Sequence, residues 1–78
     1  MQTDEKLGTF AAIIEPHSVE VQEIARALRT LIIDIDPDTY EVPRNGDRST
    51  TYGVGPSKMK QGYCYIMPQK DYVNLGFF

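Results

Sequence analysis

Only one cysteine, Cys64, stands among the 78 residues, so no internal disulfide can form. A lone thiol fits a reducing compartment, and a domain this short then has no covalent staple. Histidine is equally scarce. His17 has no serine, cysteine or acid at a diagnostic catalytic spacing and reads as a loop residue before a helix. Long apolar runs are missing too. Nothing reaches the ~18–20 residues of a membrane span, and the polar start, Met1-Gln2-Thr3-Asp4-Glu5-Lys6, has no signal-peptide character. These absences together describe a cytoplasmic protein. Basic residues are outnumbered, with 8 Lys and Arg against 11 Asp and Glu. A net charge of −3 argues against non-specific nucleic-acid binding, which needs a basic footprint.

What remains is an ordinary globular composition. Hydrophobic residues make up 41% and charged residues 24%, enough for one modest core and against disorder along the chain. Residues 1–78 read as a single domain. Its charge is unevenly spread: residues 1–41 hold nine acids and three bases, residues 42–78 two acids and five bases. An acidic helical half and a basic sheet half follow from that split.

Residues 3–14 read as a first helix capped by Thr3 or Asp4, with Leu7, Phe10, Ala11 and Ile14 on one face. Pro16 breaks it. A second, longer helix starts at the N-cap Ser18, carries the apolar stripe Val21, Ile24, Ala25, Leu28, Leu31 or Ile32, and Ile35, and ends before Pro37. Arg26 and Arg29 are placed away from the centre of that stripe. After Pro37 the period changes to two. Thr39–Val42 is a short strand that Pro43 marks as an edge or an early stop, Asn45-Gly46 is a turn, and Ser49–Tyr52 is β-prone. Gly62–Met67 is a strand with Tyr63, Tyr65 and Met67 on one face and Cys64 and Ile66 on the other, and Tyr72–Phe78 is a last strand. Helices first and strands later is an α+β order: N-terminal helices packed on a C-terminal antiparallel sheet. The apolar finish Leu75-Gly76-Phe77-Phe78 must be buried internally, be covered by a partner, or be the edge of a truncated chain.

The run Asp36-Pro37-x-x-x-Glu41, followed by Thr51-Tyr52-Gly53, Lys58-Met59, Gly62-Tyr63-x-Tyr65-Ile66 and Tyr72-Val73-Asn74-Leu75-Gly76-Phe77, resembles the YdhG-like family over residues 18–78. These are small bacterial domains of largely unknown function, some labelled iron chaperones by analogy with frataxin. The resemblance implies a curved antiparallel sheet packed on helices. It also implies a Gly-rich turn and a closing helix after the last strand, which this sequence lacks.

Several groups of residues invite a chemical reading. Asp34, Asp36, Asp38 and Glu41 crowd a helix end and would supply oxygen ligands for iron under the frataxin-like label, or form a solvated acidic turn. Glu41, at the start of a strand, either faces a groove and hydrogen-bonds a ligand or guards a sheet edge. Tyr52, Tyr63, Tyr65 and Tyr72, with Met67, would line one open sheet face, and aromatic bodies with polar tips suit a binding surface or interface. Lys58, Lys60 and Lys70 would rim that face, but without any RNP-like sequence it is a poor nucleic-acid platform. Gly53-Val54-Gly55-Pro56-Ser57-Lys58 lacks the Gly-Lys-Ser/Thr of a phosphate loop and reads as a glycine turn. Cys64 reads as a small buried hydrophobe. The leading expectation is a non-enzymatic binding module without a cofactor, holding a small ligand or a protein on its tyrosine face, and assembled as a homo-oligomer. The alternative is an iron-binding protein. An enzyme would have to turn over its substrate through His17 or Glu41.

Overall fold

A computed structural model describes every residue from Met1 to Phe78. Five strands form one sheet in the order β1 (Gln2–Thr3), β2 (Tyr40–Arg44), β3 (Ser49–Gly53), β4 (Gly62–Pro68) and β5 (Val73–Phe77). Helices α1 (Phe10–Ile14) and α2 (Val19–Ile35) pack on one face, and a single helical turn, α3 (Lys58–Gln61), sits in the β3–β4 connection. The α+β class holds. The sheet is mixed, because β1 runs parallel to β2 while every other pair is antiparallel.

The N-terminal segment departs most from expectation. The helix expected over residues 3–14 is confined to Phe10–Ile14, capped by Thr9, whose side chain accepts from the Ala12 amide at 3.1 Å. Two features shorten it. Gly8 sits at φ +147°, a conformation outside any helix and one that side chains rarely adopt. The amides of Gln2 and Asp4 also find acceptors in the carbonyls of Thr39 and Glu41, so extended backbone beats helix there. Leu7 is left exposed, and its carbonyl accepts from the Asn45 amide.

Helix α2 follows its sequence closely. Ser18 caps it, accepting from the Val21 amide at 3.2 Å, and Asp36 ends it before Pro37. Val21, Ala25 and Ile32 are buried, Leu28 packs against the core, and Ile24, Leu31 and Ile35 stay exposed. Ala25 and Ile32 join Ile14, Tyr52, Cys64 and Ile66 in one core cluster. Pro43 lies inside β2 rather than ending it. Its missing N–H falls on the β1 side of the strand, beyond the end of β1, so no ladder bond is lost. In the β2–β3 turn the left-handed residue is Arg48 (φ 54°), not Gly46.

Cross-strand register sets which side chains meet. Thr3, Glu41, Tyr52, Cys64 and Phe77 form one row across all five strands, and Pro43, Thr50, Ile66 and Leu75 form the next. Both rows lie under the helices, as the burial of Cys64 and Ile66 in the core requires. In the second row Thr50 Oγ1 is buried without a hydrogen-bond partner. Thr50→Val keeps the shape and the β-branching and removes that orphan, so it is expected to raise the unfolding free energy by about 1–3 kcal/mol, measured by urea titration. Ile66→Ala, in the same row, should lose about 2–5 kcal/mol in the same titration.

Candidate functional site

The row that begins at Thr3 carries the chemistry. Glu41 is fully buried. Its carboxylate accepts from Arg29 Nε at 2.5 Å and Nη2 at 2.9 Å, from the Tyr52 hydroxyl at 2.7 Å and from Thr3 Oγ1 at 3.1 Å. Four donors from three other elements saturate both oxygens. Burial alone would raise the Glu41 carboxyl, but the bonds from Arg29, Tyr52 and Thr3 outweigh it and hold the group below the ordinary carboxylate value. The bond to Glu41 keeps the Arg29 guanidinium above its usual value. Burial, reinforced by the negative charge of Glu41, pushes the Tyr52 phenol well up. The site is therefore an ionised pair with a neutral phenol beside it.

Above this cluster opens a cleft of about 670 Å³. Phe10 and Ile14 of α1 form one wall, and Gln22, Arg26, Arg29 and Thr30 of α2 form the other. Thr3 and Glu5 close one side, Glu15 stands at the mouth, and Glu41 lies at the floor. The Arg29 guanidinium stacks 5.1 Å from the centre of the Phe10 ring, so a cation–π contact braces the α1 wall against α2. Arg26 is held by Gln22 Oε1, to which its Nη2 donates at 3.1 Å. The sequence places Arg29 away from the centre of the apolar stripe. It stands four residues after Ala25 and three before Ile32, on the buried face, and is there because Glu41 lies beneath it.

The tyrosines expected on one open face are divided among several places. Tyr52 is buried under the helices, hydrogen-bonded to Glu41. Tyr63 falls at a register shift between β3 and β4, where Tyr52 pairs with Cys64 and Gly53 with Gly62. The extra residue is a bulge, and it turns the Tyr63 ring toward the end of α2. There its hydroxyl donates to Asp36 Oδ2 at 2.9 Å and shares a 2.6 Å bond with Thr39 Oγ1. Burial raises its phenol, with Thr39 and Asp36 acting in opposite senses. Tyr65 lies on the sheet face away from the helices, over Gly76 and 5.3 Å from the Phe78 ring. A side chain at Gly76 would occupy the space of the Tyr65 ring. Tyr72 is exposed beside the β4–β5 turn.

The acidic run is likewise dispersed. Asp34 and Asp38 are exposed, Asp36 is engaged by Tyr63, and Glu41 is enclosed by its donors. No group of three or more His, Cys, Asp or Glu side chains is placed to hold a metal ion. Cys64 is buried, which pushes its thiol up. His17 lies in the loop between α1 and α2, as expected. No helix is long and apolar enough to cross a membrane. Among known proteins the chain matches no family model, no curated protein and no solved structure.

Removing either partner of the floor pair has unequal consequences. Arg29→Met strands a buried carboxylate and should cost about 3–5 kcal/mol in a urea titration at neutral pH. Glu41→Gln leaves Arg29 with a partial outlet to solvent and should cost less. The pH profile carries the same signature. Glu41 is held low, so its contribution is present above its unfolded value of about 4.3 and is lost as pH falls through the folded one. Tyr52 and Tyr63 are held high, so theirs are present below about 10 and are lost as pH rises. Stability measured against pH should form a plateau between these limits, with an acid limb shallower in Glu41→Gln than in the parent.

Proposed function

We propose that this chain is a non-enzymatic binding domain, and that its ligand is a small amphoteric molecule held in the cleft between α1, α2 and β1. The observation that carries this reading is the built floor. Arg29 spends two donors on Glu41 and keeps the remaining N–H groups of its fork free, while a third of its side chain stays open to solvent. A carboxylate entering the cleft meets those donors and Arg26. An amino group on the same ligand meets Glu5 and Glu15 at the rim, and the Phe10 ring supplies an apolar wall. The positions are preorganised, because Arg29 is fixed at one end by Glu41 and on its face by Phe10.

Support for a binding role over catalysis comes from how the reactive groups are used. Glu41 is ionised and saturated, so it has no free lone pair positioned to take a proton. Cys64 is buried and its thiol raised, which disfavours a nucleophilic thiolate. The same reading takes the domain as a homo-oligomer, because its apolar last strand is a free sheet edge.

Titration of ¹⁵N-labelled protein with α-amino acids and with short-chain carboxylates tests the cleft. The amides of Thr3, Phe10, Arg29 and Glu41 should shift, and Arg26→Ala should weaken binding of the carboxylate-bearing probes about tenfold, roughly 1.4 kcal/mol. Shifts confined to Tyr65, Met67 and Phe78 would move the site to the other sheet face. No shift with any probe would remove the proposal.

A further inference from the structure

We propose that β5 is a dimerisation strand: two copies of this chain pair antiparallel through their β5 edges, symmetrically about Leu75, to make one continuous ten-stranded sheet. This deepens the homo-oligomer part of the reading above and does not depend on the cleft.

The argument starts with the backbone. The Tyr72 carbonyl accepts from Gln69 and the Phe78 amide donates to Tyr63, so the even-numbered residues of β5 face β4. Strand alternation then points the N–H and C=O groups of Val73, Leu75 and Phe77 out of the sheet. Strand order confirms that nothing in the chain pairs with them, since β5 is the outermost strand. Antiparallel pairing about Leu75 opposes Leu75 to Leu75 and Val73 to Phe77 of the second copy. Each outward N–H then meets an outward C=O, and all the free ladder groups are used.

Side chains fit the same register. On the helix side, Leu75 meets its own copy and the bulky Phe77 meets the smaller Val73. On the other side, Gly76 meets Asn74 and Phe78 meets Tyr72. No charged residue lies in the paired segment Tyr72–Phe78, so no like charges are opposed. The edge also lacks the lysine, proline or bulge by which solitary edge strands resist pairing. Beside it lies an apolar groove of about 280 Å³ between α2 and β5, walled by Leu31, Ile32, Ile35, Cys64, Leu75 and Phe77. Ile35 and Phe77 are 76% and 75% exposed. Together with Leu31, Leu75 and Phe78 they offer about 600 Å² of apolar surface per copy, taking roughly 200 Å² for a large side chain. The paired backbone adds to that, and a stable interface needs about 800 Å² per partner. An isologous contact suits a surface complementary to itself, which is what selects a second copy as the occupant.

Sedimentation equilibrium and hydrogen exchange test this together. The parent chain should sediment at twice 8.8 kDa, and the amides of Val73, Leu75 and Phe77 should exchange slowly at high concentration and faster on dilution. Leu75→Lys opposes two ammonium groups on the symmetry axis and should sediment as a monomer with an unchanged far-ultraviolet circular dichroism spectrum. Should that variant unfold, the three amides of the parent still decide. A dimer in which they exchange as fast as an open edge overturns the β5 interface and leaves oligomerisation standing. A monomer at millimolar concentration overturns both, without bearing on the cleft.

Discussion

A carboxylate shut away from solvent must be met by donors or give up its charge, and Glu41 is met by four. Removing it from water costs several kcal/mol, offset only if both oxygens are satisfied in good geometry. The donors come from β1, α2 and β3, so the group ties together segments far apart in sequence. Thr3 reaches Glu41 only if β1 lies parallel against β2, and Arg29 reaches it only if α2 crosses the sheet with its buried face over that strand. The orientation of the helix and the parallel seat of β1 therefore both serve the same carboxylate.

The same requirement shapes the cleft. Arg29 cannot follow a surface path to water while it pairs with Glu41, so its guanidinium lies over the Phe10 ring and leaves part of its fork facing the space between the helices. A short α1, set back by Gly8 and capped at Thr9, keeps that space open. Had residues 3–14 formed one continuous helix, Thr3 would have left the carboxylate. The structural core and the candidate ligand site thus share a wall, and the residues that stabilise one preorganise the other.

At the other end of the sheet the constraint is apolar. Two helices of unequal length cannot cover five strands. Tyr52, Cys64 and Ile66 lie under cover, while Leu75 and Phe77 on β5 remain open beside Leu31 and Ile35. The bulge at Tyr63 seals the boundary by carrying one tyrosine from the open face to the end of α2, where its hydroxyl meets Asp36 and Thr39. An acid at a helix C-terminus is unfavourable on its own, and that phenol offsets it.

Local rules decided much of this from the sequence alone. Ser18 and Pro37 bracket α2 because a cap and a helix breaker act within a turn of themselves. Alternation puts Cys64 and Ile66 inward and Tyr65 and Met67 outward because a strand has a period of two. The α+β class followed from the order of those signals. Tertiary structure decided what depends on residues distant in sequence. Thr3 became a strand residue because the edge of β2 offered carbonyls to its neighbours, outweighing a local helical pattern that Gly8 had already weakened. Arg29 reads from the sequence as lying away from the centre of the core stripe, and only the fold seats it over Glu41, twelve residues away, as its partner. Nor did the four tyrosines reveal their separation, because a one-residue register shift reverses the face of a side chain and leaves no mark in composition or spacing.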